Sequence, residues 1–184
     1  MKVETLNIPG PLLIVPEKHS DTRGFFAEIF RKDFLEAKIG PIEFVQDNYS
    51  RSSRAGTVRG LHFQVAPAPQ AKLVSVVRGA IMDVAVDIRK SSPTYGRHVA
   101  RTLSAENLAQ FYVPIGFAHG FYTLEPDTEV VYKVSNYYDP ATERGLLWND
   151  SALKIGWPVG TGKVTISDKD RTYPPLSELG DWFT

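Results

Sequence analysis

Short apolar runs separated by glycine and proline dominate this chain. The clearest lies between Lys72 and Arg89, KLVSVVRGAIMDVAVDIR, where two apolar runs flank Arg78-Gly79 and predict a β-hairpin. Strand side chains alternate, so in the second run Met82, Val84, Val86 and Ile88 share one face. Ile81, Asp83, Ala85 and Asp87 share the other. Glu129–Ser135 (EVVYKVS) repeats the pattern, with Val130, Tyr132 and Val134 pointing together. Leu12–Val15, Gly24–Phe30, Thr57–Phe63, His98–Leu103 and Leu108–Val113 read as further strands. One stretch reads as a helix, Lys32–Ala37 in RKDFLEAKIG, ending before Gly40 and Pro41. The tail from Asp168 to Thr184, rich in proline and charge, is expected to pack irregularly on the surface. Many short strands without interleaved helices predict a sandwich or barrel and argue against a doubly wound sheet. No internal repeat or linker divides the 184 residues, so one mainly β domain spanning 1–184 is expected.

Composition narrows the function. Lys+Arg and Asp+Glu each number 21, for a formal net charge of zero. A general attraction to nucleic acid or to an anionic membrane is therefore not expected, although a local basic pocket for one phosphate group stays open. The absence of cysteine removes thiol nucleophiles, disulfides and cysteine metal sites. The first apolar stretch is broken by Pro11 and Pro16 and has neither a signal-peptide pattern nor membrane-spanning length, so a cytoplasmic protein is expected.

Candidate chemistry centres on histidine, which occurs only at 19, 62, 98 and 119. A lone histidine in a strand is more often a satisfied structural residue than a catalyst. His62, however, lies in VRGLHFQ with Arg59 just before it and Lys72 on the next predicted strand. Strands that aim His, Arg and Lys into one barrel mouth supply the parts of an anion-binding acid–base site. Strict alternation puts Arg59 and His62 on opposite faces, so both reach one pocket only if a bulge or twist intervenes, for which Gly60 is suited. His119, in VPIGFAHGF, reads as a residue of a loop leading into a strand, capping a backbone group. No two histidines are closer than 21 positions, so the local His-x-His pair of a metal-binding barrel is missing and no metal is expected. Tyr132 taken alone reads as strand packing and Asp170 as a turn or capping residue. Asp83 and Asp87 share a face of an otherwise apolar strand, which is either solvated or lines a polar cavity.

Taken together, the motifs are recognisable. DTRGFFAEIF (21–30), FVQDNYSRS (44–52), VRGLHFQ (58–64), the segment 71–96, LSAENLAQFYVPIGFAHGFYTL (103–124), VVYKVSNYYDPATERGLLWND (130–150) and SDKD (167–170) recur in this order and spacing in one family. The chain resembles the dTDP-4-dehydrorhamnose 3,5-epimerase family. That resemblance implies a cupin-type jelly roll with a few short helices, a homodimer, a dTDP-sugar substrate and no cofactor. The implied reaction inverts C3 and C5 beside a C4 ketone, needing a base, an acid and a positive group at the enolate oxygen. His62 would be the base, Asp170 its orienting carboxylate, Tyr132 the acid on the opposite face, and Lys72 the group at the C4 oxygen. Arg23, Arg59 and Lys169 would neutralise the diphosphate, and Phe26 and Tyr138 would offer flat surfaces to the thymine. Glu28, Gln46, Asn48, His119, Tyr138 and Glu143 match positions around nucleotide or sugar. The stretch around Arg23 would reach the partner subunit's site. VAPAPQA (65–71), rich in Pro and Ala, would shape one rim of the pocket. Two other readings stay open: a mono-epimerase acting at C3 or C5 only, and a sugar-nucleotide-binding jelly roll without catalysis. A metal-dependent cupin ranks below both because of the histidine spacing.

Overall fold

The structure, a computed structural model, describes residues 1–160 and 163–183. Two antiparallel sheets carry it. The first has the spatial order β1 (Lys2–Thr5), β2 (Leu12–Val15), β10 (Gln110–Val113), β7 (Lys72–Arg78), β12 (Thr128–Val134) and β5 (Gln46–Ser52). The second runs β13 (Glu143–Gly145), β6 (Val58–Gln64), β11 (Phe117–Thr123), β8 (Ala80–Asp87) and β9 (His98–Ser104). A separate hairpin, β3 (His19–Asp21) and β4 (Gly24–Phe26), is exposed throughout. The helices are α1 (Lys32–Ile39) and α2 (Asp168–Arg171). Among the described residues no helix is long and apolar enough to cross a membrane.

Strand alternation builds the core. Val74 and Val76 of β7, Phe111 and Val113 of β10 and Val130 of β12 face Ile81 and Ala85 of β8, Leu103 of β9 and Phe121 of β11. The opposite face of the second sheet is also dry: Leu61, Phe63, Val84, Val86 and Ala118 are covered by Leu146, Leu153 and Leu179. This accounts for β8, whose two faces both lie buried, as a strand that is apolar but for Asp83 and Asp87, with layers on each side.

The expected hairpin about Arg78-Gly79 does not form. β7 and β8 are consecutive but lie in different sheets, β7 between β10 and β12 and β8 between β11 and β9. The corner at Gly79, with φ +75°, folds one run across the core from the other. Two apolar runs joined by a tight turn look alike in sequence whether they pair edge to edge or face to face. The tail is also more than surface packing: α2 buries Asp170, and Leu179 joins the covering layer. Four strands (β1, β3, β5 and β13) form where none was expected, and β11 begins earlier than the strand expected to follow the VPIGFAHGF loop. It is buried along its whole length, which places His119 mid-strand and not in a loop.

Candidate functional site

A bulge in β6 creates the site. His62 pairs with His119 and Arg59 pairs with Phe121, so β6 spends one residue more than β11 over the same stretch. The extra residue cancels the alternation and turns Arg59 and His62 to one cavity. Gly60 permits it: its φ is +128°, and a Cβ there would stand 2.6 Å from the Gly120 Cα. Gly120 repays the closeness, since its own Cβ would lie 2.7 Å from the Arg59 carbonyl oxygen.

His62 Nε2 lies 2.7 Å from Asp170 Oδ1. Asp170 also accepts the Gly60 N–H at 3.2 Å through Oδ2, and its own N–H donates to Ser167 Oγ at the helix start. Burial pushes this carboxyl up, but the bonds from His62, Gly60 and Ser167 outweigh burial and hold it below the usual range. An ionised Asp170 accepts from Nε2–H, which leaves the Nδ1 lone pair free. Lys72 donates to the His62 carbonyl at 3.2 Å. Burial pulls its ammonium down to about 8, against the opposing pull of Asp83 and Glu143. Tyr132 is pushed up by burial and stays protonated at neutral pH.

Two cavities meet at these side chains. The first, about 520 Å³, is lined by Arg59, His119, Phe121, Ser167, Lys169 and Asp170 together with His62, Lys72 and Tyr132. The second, about 300 Å³, shares His62, Lys72 and Tyr132 and adds Gln46, Asn48, Gln70, Tyr138 and Glu143. Arg59 is braced by Ser52 Oγ at 3.2 Å and the Arg51 carbonyl at 3.1 Å. Glu143 accepts from the Tyr138 hydroxyl at 2.8 Å and pairs with Lys169. Burial raises that carboxyl, and its two partners more than offset the rise. Gln46 reaches Asn48 Oδ1 at 2.8 Å and accepts the Tyr138 N–H at 3.0 Å. Gln70, from the Pro/Ala-rich segment 65–71, forms part of this second rim.

Asp83 was the unassigned carboxylate of the β8 pattern, and it lines the polar interior: Oδ1 lies 2.7 Å from His119 Nε2. Burial lowers His119 and keeps it neutral, while Asp83 Oδ2 finds no partner among the described residues. Asp87 goes elsewhere, tied to Arg89, Ser92 and Thr94 at the far end of the strand. Among the described residues, no three His, Asp or Glu side chains gather as a metal site would require. Three expected binding residues stand apart from both cavities. Arg23 pairs with Asp21 on the exposed hairpin, Phe26 is 71% exposed, and Glu28 borders a different surface hollow beside Arg31.

Residues 5–178 match the family described as dTDP-4-dehydrorhamnose 3,5-epimerase. The chain belongs to that family. It is 50% identical to the dTDP-4-dehydrorhamnose 3,5-epimerase of Sinorhizobium fredii, over 97% of this chain and 91% of that one. The epimerase of Legionella pneumophila, solved in complex with dTDP-4-keto-L-rhamnose, superposes with a TM-score of 0.92 at 43% identity, covering 97% of this chain and 94% of that chain. The Bacillus anthracis epimerase, solved with TDP and PPi bound, gives a TM-score of 0.90 at 49% identity over 95% and 98% of the two chains. The two facing sheets are the cupin-type jelly roll of this epimerase family.

Proposed function

We propose that this member of the epimerase family inverts C3 and C5 of dTDP-4-dehydro-6-deoxy-D-glucose to give dTDP-4-dehydro-L-rhamnose, without metal or organic cofactor. The observation that carries the reading is the convergence of the His62–Asp170 pair, Lys72 and Tyr132 where the two cavities meet. A proton on carbon beside the C4 ketone is acidic because the resulting carbanion is an enolate. His62 Nδ1 removes it, and Asp170 stabilises the imidazolium through Nε2. The Lys72 ammonium balances the charge that gathers on the C4 oxygen. Tyr132, protonated through its burial, returns a proton from the opposite face. The His62 imidazolium then gives its proton to water and the Tyr132 phenolate takes one from water, which resets base and acid. The steps repeat at the second carbon, and no net oxidation or reduction occurs.

Arg59 and Lys169 suit the diphosphate; an arginine fork and a mobile ammonium both match phosphate oxygens. Tyr138 offers a flat, half-exposed ring to the thymine, with Gln46, Asn48 and Glu143 as polar neighbours and His119 toward the sugar. Arg23, Phe26 and Glu28 complete the binding set from a second subunit in a homodimer, which accounts for their distance from the cavities of their own chain.

Incubation with dTDP-4-dehydro-6-deoxy-D-glucose in D₂O, followed by NMR, tests the reading. Deuterium is expected at both C3 and C5, and His62→Ala is expected to slow its entry by about 10²–10⁴-fold. Deuterium at a single carbon would make the chain a mono-epimerase. Binding without any exchange would remove the catalytic reading, and activity that depends on a stoichiometric metal would remove the cofactor-free one.

A further inference from the structure

Tyr173 lies within the family match of residues 5–178 but outside the motifs quoted from the sequence, and it lines neither cavity. Its ring nevertheless meets the His62 imidazole edge to face, with centroids 5.7 Å apart and planes at 73°. The local chain delivers it there. The Thr172 N–H closes α2 on the Lys169 carbonyl at 3.1 Å, and the Leu147 N–H holds the Pro174 carbonyl at 2.9 Å. Beneath the ring is Gly145, the residue of β13 that pairs with His62 across to β6. A Cβ at Gly145 would stand only 2.3 Å from atoms of the Tyr173 ring, so the bare backbone of β13 is the floor on which that ring lies.

Asp170, from the same short segment, pins the imidazole at Nε2. One hydrogen bond fixes one corner of a ring that still has two torsions. A flat partner against the ring removes the remaining freedom, and edge-to-face packing has a preferred geometry. We infer that Tyr173 is a positioning residue for His62, holding the imidazole so that Nδ1 faces the cleft; the inference rests on the reading of His62 as the base. The ring and not the hydroxyl carries the role, because the ring is what meets the imidazole, whereas the hydroxyl lies toward the Lys169 ammonium.

Three variants of the full chain test it: Tyr173→Phe, Tyr173→Leu and Tyr173→Met. Displacing a reacting group by about an ångström costs up to about a hundredfold in rate. The Leu and Met variants are expected to lose about tenfold or more in kcat with KM within about threefold of the parent, whereas Tyr173→Phe keeps both. In ¹⁵N NMR of the imidazole without substrate, the parent and the Phe variant should show one His62 tautomer, protonated at Nε2. The Leu variant should show averaged nitrogen signals. Parent kcat in the Leu and Met variants, an equal loss in the Phe variant, or an effect confined to KM would each overturn the inference. Failure of both Leu and Met chains to fold would make the ring a fold element and overturn it as well. If the parent itself exchanges no deuterium, the functional reading falls, and the tautomer signals still decide the positioning role.

Discussion

Lys72 illustrates how one residue sets a pH response in two opposite senses. Its buried ammonium titrates at about 8 in the folded chain against 10.5 for an ordinary lysine. Between those values the unfolded chain holds a proton that the folded chain has released, so this residue's contribution to stability rises with pH across the window. Its catalytic use runs the other way, since only the ammonium stabilises an enolate. The value of kcat/KM is therefore expected to fall as pH rises through about 8, because that ratio reports the free enzyme. Lys72→Arg should lower the plateau and abolish the alkaline limb, as a guanidinium stays charged throughout. A parent profile flat to pH 10 would separate Lys72 from the chemistry. The buried Asp83 beside it favours the ammonium.

At the scale of elements, the site depends on a register error made permanent. Paired in regular register, without the bulge, β6 would send Arg59 to one face and His62 to the other. Gly60→Ala meets two obstacles: a φ of +128° and the Gly120 backbone at 2.6 Å. The conformation alone costs a residue with a Cβ about 1–3 kcal/mol, and the backbone collision adds to it. Gly60→Ala is expected to lower the melting temperature by several degrees and to reduce turnover in the molecules that remain folded. Parent turnover per folded molecule would show that the bulge survives a side chain. The same economy is visible in β11, where Gly120 gives up its side chain to let β6 approach.

The whole molecule raises the question of the exposed hairpin. Phe25 and Phe26 are both more than half exposed, on an arm whose strands pair with neither sheet. In the proposed dimer this arm carries Arg23 to the site of the other subunit. Each site would then draw His62 from one chain and Arg23 from its partner. Co-expressing His62→Ala with Arg23→Ala chains should restore about a quarter of the parent activity, since half the dimers are mixed and each mixed dimer has one intact site. No gain over the separate variants, or a fully active monomer in sedimentation, would place Arg23 outside the reaction.

The sequence by itself determined the β class, because short alternating runs without helices leave few other architectures. Its motifs also named Lys72, Tyr132 and Asp170, which gather around His62. What it left open were matters of direction. Alternation assigns a residue to a face but says nothing of which sheet lies opposite, so the Arg78-Gly79 turn read as a hairpin when it is a corner between sheets. It also assumes an unbroken pleat, and at Gly60 only the pairing with β11 reveals the added residue. Tyr173 had no signal at all, being one aromatic in a proline-rich tail. Its place over His62 follows from hydrogen bonds between α2, β13 and β6, segments distant in sequence that only folding brings together.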